Sequence, residues 1–319
     1  MGQLVDGRWV AGDVATVKGG AFERQDATFR DWVTAEGEFP AESGRYHLYV
    51  SLACPWAHRT LIARALKGLE GHVGVSVVSP NMGDEGWTFD RDFPGTTGDG
   101  LMGLSRLHEV YTRARPGVTT KVTVPVLWDR EREAIVSNES SEIIRMMTSA
   151  WDALPGVRAL NLWPEALRGE IETVNKRVYD TLNNGVYRAG FAKTQEAYDA
   201  AVGPLFDTLD WLEARLARTR WLVGGAMTEA DVRLFTTLAR FDTVYHGHFK
   251  CNRRKLIEYP ALWGFTRDVW QVPGVAATVD LGHIARHYHW SHPNVNPTRI
   301  VPVGPDLDWE APHGRETLP

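Results

Sequence analysis

Residues 46–60 read YHLYVSLACPWAHRT, and the change of pattern at Pro55 decides how the first half of the chain is built. YHLYVSL, after the turn-like ESGR, is a short apolar and aromatic run of the kind that forms a buried strand. From Pro55 the period changes: in AHRTLIARALKGLEG, Leu61, Ala65 and Leu69 share one helical face, and Gly68 or Gly71 ends the helix. HVGVSVVSP (72–80) is a second strand, so the stretch predicts a right-handed βαβ unit with a parallel strand pair.

Downstream, residues 80–121 form an insert rich in Gly, Asp and aromatics, with a helix predicted around LSRLHEVYTRA (104–114). A connection this long inside a domain is uncommon unless it serves function. KVTVPVLWD (121–129) and AIVS (134–137), joined by the charged turn DRERE, predict a β-hairpin. SNESSEIIRMM (137–147) then reads as a helix start with Ser or Asn as cap. The order β-α-β, insert with helix, β-β-α is that of a thioredoxin-like domain.

After about Trp151 strand-like runs give way to amphipathic helical periods in 165–191, 194–219 and 229–246. Thr228 and Asp231 stand at capping-box spacing. The expected fold class is therefore α/β plus all-α: an N-terminal arm (1–40), a thioredoxin-like domain (41–150), a linker (151–164), an all-helical domain (165–295) and an irregular surface tail (296–319).

With 319 residues the chain exceeds one typical domain. A net charge of −5 gives no electrostatic reason to expect nucleic acid as a partner. No run approaches the ~20 apolar residues needed to span a bilayer. The opening MGQLVDGRWVAGD also lacks the basic-then-apolar layout of a secretory signal, so a soluble, cytoplasmic protein without membrane partners is expected. Two cysteines, Cys54 and Cys251, make no disulfide framework and suit a reducing compartment. Of the 13 tryptophans, most belong to cores or a domain interface and some suit a cleft for an aromatic ligand.

Cys54 directly precedes the predicted helix. Pro at the first helical position loses nothing, because its missing N–H would have had no partner. A sulfur there faces the unpaired amides and positive dipole end of the first turn. Such sites depress thiol pKa values and favour the nucleophilic thiolate. His58 and Arg59 add positive potential nearby. The plainer reading, a small inert buried cysteine, is disfavoured by the Cys-Pro-Trp-Ala context after a strand. Ala57 occupies the place of the second sulfur of a dithiol oxidoreductase, and nothing cues Cys251 to meet Cys54, so the resolving thiol must come from outside.

An external thiol needs a site. Val124-Pro125 falls where a thioredoxin-like fold places a cis proline beside the cysteine, leaving the Val124 backbone to pair with an extended ligand. The sequence itself does not decide the isomer, because most X-Pro bonds are trans. At the next helix start, Ser140 with backbone amides suits a carboxylate and Glu139 suits an ammonium. A merely well-capped helix is the alternative.

The segments 43–70, TVPVLWD, NES, GVYRAGF and RHYHWSHPNVNPTRIVPVGP together resemble the glutathionyl-hydroquinone reductases, the Xi class of glutathione transferases, over nearly the whole chain. The resemblance implies a homodimer that uses glutathione as co-substrate; separately, no metal is expected. It implies Cys54 as nucleophile; Trp87, Val124, Glu139, Ser140 and a basic residue of the insert, Arg106, as glutathione contacts; and Tyr187 and Tyr288 as residues facing an aromatic substrate. Where a second tyrosine is expected near Tyr288 the chain has His289 and Trp290, which bears on substrate preference.

Other readings compete. His283 and His287 have the helical spacing of a metal clasp, but no acidic or cysteine ligand accompanies them; the pair His246 and His248, upstream of Cys251, invites a zinc reading no more strongly. A cysteine hydrolase lacks any recognisable signature around Cys54. An Omega-like transferase reducing dehydroascorbate or removing glutathione from thiols shares the cysteine chemistry; the insert and the terminal tyrosine segment argue against it. A non-enzymatic binding protein of the same fold would have little use for Cys54.

Overall fold

The computed structural model describes residues 2–12 and 16–319, so residues 1 and 13–15 of the expected arm, and the parts of the opening sequence that they contribute, lie outside the described residues. The chain divides into two compact units: Met1–Val14, Gln25–Leu160 and Thr278–Ser291 form the first, and Ala15–Arg24, Asn161–Ala277 and His292–Pro319 the second.

The arm, whose sequence shows no sustained period and reads as irregular, carries short strand pairs. It holds an antiparallel pair β1 (Gln3–Val5) and β2 (Arg8–Val10), a second antiparallel pair β3 (Thr16–Lys18) and β4 (Ala21–Glu23), and a short parallel pair β5 (Val33–Thr34) and β6 (Phe39–Pro40). β7 (Tyr46–Val50) is wholly buried at the centre of the main sheet. α1 (Pro55–Lys67) and β8 (Val73–Val77) follow, and β8 pairs parallel to β7 with Tyr46 opposite Val73 and Val50 opposite Val77.

α2 (Leu107–Ala114) closes the insert, then β9 (Val126–Asp129) and β10 (Ala134–Ser137) form the hairpin and α3 (Ser140–Met147) packs beside α1. The sheet order is β10-β9-β7-β8, with β9 antiparallel to β7. This mixed sheet is the thioredoxin-like architecture expected. α1 begins where Pro fixes the backbone and ends where Gly68 enters the left-handed region (φ 75°), its N–H reaching back to Ala65 O at 3.2 Å. Gly68 rather than Gly71 is thus the stop.

The second unit is helical apart from the β3–β4 pair. α4 (Arg168–Val178) runs through a π-helical turn (Tyr179–Asn183) into α5 (Gly185–Gly190); α6 (Gln195–Leu216), α7 (Glu229–Leu238) and α8 (Pro260–Trp270) follow. The expected capping box forms at α7: Thr228 N and Oγ1 both donate to Asp231 Oδ2, at 2.8 and 2.9 Å. The tail is irregular, yet it is anchored, since Arg315 is buried and donates to Leu216 O at 2.8 Å and Thr219 O at 2.7 Å, closing carbonyls left open at the end of α6.

α9 (Leu281–Ser291) departs from the expected boundaries. Its sequence reads as part of the helical domain, but it packs within the first unit, held by side-chain bonds to the insert.

Candidate active site

Cys54 is the N-cap of α1, in an extended conformation (φ −79°, ψ 121°), with Pro55 at the first helical position. Its own carbonyl accepts the His58 amide at 3.0 Å, opening the helix ladder. The thiol makes no capping hydrogen bond and donates instead to Val124 O at 3.6 Å. The Val124-Pro125 bond is cis. The sequence placed Val124-Pro125 beside the cysteine, and the structure supplies the isomer. Cys54 is part-buried and Cys251 buried, and neither is in a disulfide. Burial pushes the Cys251 thiol up to about 12. At neutral pH it stays protonated and inert, leaving Cys54 as the thiol placed to react.

At the start of α3 the cap is Glu139, in place of the expected Ser or Asn: its Oε1 accepts the Ser141 amide at 2.9 Å and the Ser141 hydroxyl at 2.7 Å. Asn138 is occupied elsewhere, exchanging bonds with the Phe29 backbone and donating to Tyr111 OH at 3.2 Å. Ser140 is buried at the first helical position, and Arg59 Nη1 donates to its Oγ at 3.4 Å. Arg59 is itself buried, its guanidinium 4.5 Å from the Trp56 ring centroid. A hydroxyl, a helix N-terminus and a buried guanidinium therefore converge, a combination chemically suited to a carboxylate, with the Glu139 carboxylate one residue away. Sequence reasoning gave Arg59 to Cys54 and missed its bond to α3. His58 is fully buried and its Nε2 pairs with Thr278 Oγ1 at 2.8 Å.

Trp87 and Arg106 belong to one folded element of the insert. Thr88 and Arg106 form an antiparallel bridge, Phe89 N donates to Ser105 O, and Leu107 N donates to Trp87 O, the last two at 2.9 Å. Asp99 holds the intervening turn, its carboxylate accepting the amides of Leu101, Met102 and Leu104. Arg106 is half exposed and ion-paired with Glu85 and with Glu109, the latter at 3.4 Å. Trp87 is buried against the His287 imidazole, ring centroids 4.6 Å apart and 25° from parallel.

The two tyrosines fall in different units. Tyr288 is buried in α9 of the first. Tyr187, in α5 of the second, packs among Phe22, Phe191, Tyr245 and Phe249, with the Arg24 guanidinium 4.9 Å from its ring centroid. Among the described residues no group of three or more His, Cys, Asp or Glu is arranged to hold a metal ion. His248, of the other candidate pair, lies against His292, Nε2 to Nδ1 at 3.2 Å.

A thioredoxin-like unit with a single cysteine opening its first helix, joined in one chain to a helical unit, defines a glutathione transferase fold. Family models agree: the chain matches the glutathione S-transferase N-terminal domain over residues 53–150 and the C-terminal domain over residues 195–268. It is 53% identical to the glutathionyl-hydroquinone reductase YqjG of Escherichia coli over 99% of both chains. It is 52% identical to the glutathionyl-hydroquinone reductase PcpF of Sphingobium chlorophenolicum over 96% of both. The glutathione-bound structure of YqjG superposes with a TM-score of 0.92 at 51% identity, covering 99% of each chain. A Xi-class transferase from Natrialba magadii gives 0.92 at 49%, covering 100% of this chain and 97% of the other. The chain belongs to the Xi class of glutathione transferases, the family of the glutathionyl-hydroquinone reductases.

Proposed function

We propose that this enzyme reduces glutathionyl-hydroquinones to hydroquinones at the expense of glutathione, with Cys54 as nucleophile. The observation that carries the proposal is the lone thiol at the start of α1 beside the cis Val124-Pro125 bond, with Ala57 where a second sulfur would stand and Cys251 buried.

The Cys54 thiolate attacks the glutathione sulfur of the conjugate. An S–S bond forms, the S–C(aryl) bond breaks, and its electron pair goes to the ring carbon, which takes up a proton. A second glutathione thiolate then attacks the glutathione sulfur of the mixed disulfide and releases Cys54, giving glutathione disulfide. The aromatic substrate is reduced by two electrons and two glutathione sulfurs are oxidised, so the balance closes without a metal or further redox group.

In this reading the Val124 backbone aligns glutathione, Ser140 with the first α3 amides and Arg59 behind it receives a carboxylate, and Glu139 pairs with an ammonium. Trp87 and Arg106 border the same ligand. Tyr187 and Tyr288 hydrogen-bond the phenolic oxygens and assist proton delivery to carbon. We further propose a homodimer working in the cytoplasm, where glutathione is reduced; no described helix is long and apolar enough to cross a membrane.

The test is turnover of glutathionyl-menadiol-type and chlorinated glutathionyl-hydroquinone conjugates with excess glutathione, following free hydroquinone and glutathione disulfide. Wild type is expected to turn over and to carry a glutathione-mass adduct on Cys54; Cys54→Ala is expected to do neither. Dehydroascorbate or disulfide reduction without conjugate turnover would move the protein to an Omega-like activity.

A further inference from the structure

The histidine spacing of α9 is used for docking. His283, His287 and Ser291 recur every fourth residue and share one helix face. His283 Nε2 bonds Pro94 O at 2.6 Å, His287 Nδ1 bonds Pro80 O at 3.0 Å, and Ser291 Oγ bonds the same Pro80 O at 2.9 Å while accepting the Met82 amide at 3.0 Å. A carbonyl oxygen only accepts, so the histidine protons sit on His283 Nε2 and His287 Nδ1. Between them Arg286 Nε donates to Asn81 Oδ1 at 2.6 Å, and Asn81 Nδ2 and Ser79 Oγ both donate to Asp92. The helix thereby grips the insert from Ser79 to Pro94, the segment that contains Trp87. At the middle of that grip the His287 ring lies stacked on the Trp87 indole.

We propose that His287 is a positioning residue for glutathione binding: its bond to Pro80 O fixes the imidazole plane, and that plane sets the orientation of the Trp87 indole. The proposal rests on the reading of Trp87 as a glutathione contact. A stacked and sterically held indole meets its ligand without being ordered on binding, which raises affinity at unchanged chemistry.

Equilibrium binding of glutathione to the resting enzyme, with steady-state kinetics at varied conjugate and saturating glutathione, tests it. His287→Ala is expected to raise the glutathione Kd and the conjugate KM roughly tenfold, with kcat at saturating substrates within about twofold. His287→Phe keeps the ring but not the donor, and is expected to fall between His287→Ala and wild type. Should His287→Ala prove insoluble, His287→Leu, which keeps volume without stack or donor, gives the same comparison. The decisive arm is the double variant. If His287 acts through Trp87, Trp87→Ala/His287→Ala has the glutathione Kd and conjugate KM of Trp87→Ala alone; independent, multiplying effects would overturn the proposal, as would a normal Kd and KM in His287→Ala when Trp87→Ala raises them. A normal glutathione Kd and conjugate KM in Trp87→Ala would instead remove the Trp87 reading on which the proposal stands.

Discussion

Thr228→Val should destabilise the protein more at pH 8 than at pH 4.5, because the Thr228 hydroxyl serves an ionised, fully buried carboxylate. Asp231 has no exposed surface; its Oδ1 accepts Leu222 N at 2.8 Å and its Oδ2 accepts Thr228 N and Oγ1. Burial pushes its pKa from 3.8 up to about 6, although these hydrogen bonds pull the other way. Because the folded value lies above the unfolded one, the folded state holds the extra proton between about pH 4 and pH 6. The associated stability is complete below about pH 4 and lost as pH rises through about 6, an interval worth about 3 kcal/mol at about 1.4 kcal/mol per pH unit. Removing the hydroxyl takes a donor from a charged acceptor, about 1.5–3 kcal/mol, and deletes the helix cap, about 1 kcal/mol. We expect a loss of about 3 kcal/mol at pH 8, shrinking towards about 1 kcal/mol at pH 4.5, where Asp231 is neutral in the fold. Urea unfolding of both proteins at both pH values measures this, and every other titrating group cancels in the comparison. Equal losses at the two pH values would refute the account, since the hydroxyl would then not be supporting a charge.

Three further outcomes follow from single residues. Iodoacetamide at neutral pH should modify Cys54 alone in the native protein and reach Cys251 only after denaturation, as read by mass spectrometry, because the Cys251 thiol is buried and raised to about 12. Burial lowers His47 from 6.5 to about 4, so the unfolded chain takes up a proton first and stability should fall by up to about 3 kcal/mol as pH drops across that window; His47→Gln should flatten that part of a stability–pH curve. In Gly190→Ala the new Cβ would lie 2.2 Å from the Phe249 ring, which packs at 5.6 Å from Tyr187. We expect a cost of about 1–3 kcal/mol in thermal unfolding and a raised KM for the conjugate with that for glutathione unchanged.

The parts of the molecule legible in sequence are those fixed by local chemistry. Pro55 and Gly68 mark both ends of α1 because one locks φ and the other adopts a positive φ of 75°. The capping box at Thr228 and Asp231 is likewise local. The misread cap of α3 shows the limit: Asn138 has a good capping side chain, but Phe29 and Tyr111, distant in sequence, engage it, and the longer Glu139 carboxylate takes the cap. α9 is legible as a helix, whereas the body on which it packs is decided by carbonyls of Pro80 and Pro94 that carry no side-chain signal. The bond from Arg59 to Ser140 joins two helix starts 81 residues apart and has no periodic signature either.

That division has a chemical consequence. The attacking sulfur is placed by local geometry, an N-cap followed by proline, with one long-range contact to Val124 O. The glutathionyl group it attacks must in turn be held in register with it, so on the proposed mechanism mixed-disulfide formation depends on how well that group is held. The residues proposed to hold it come from the insert, the cis Val124-Pro125 bond and the start of α3, and the long-range bonds of Arg59, Asn138 and His287 keep these elements in place. Substitutions at Cys54 should therefore abolish the attack at any conjugate concentration, and substitutions among the long-range bonds should raise the conjugate concentration that half-saturates it. Single-turnover formation of the Cys54 mixed disulfide at varied conjugate separates the two: a His287 variant that lowered the limiting rate while leaving the half-saturating concentration intact would break this assignment of roles.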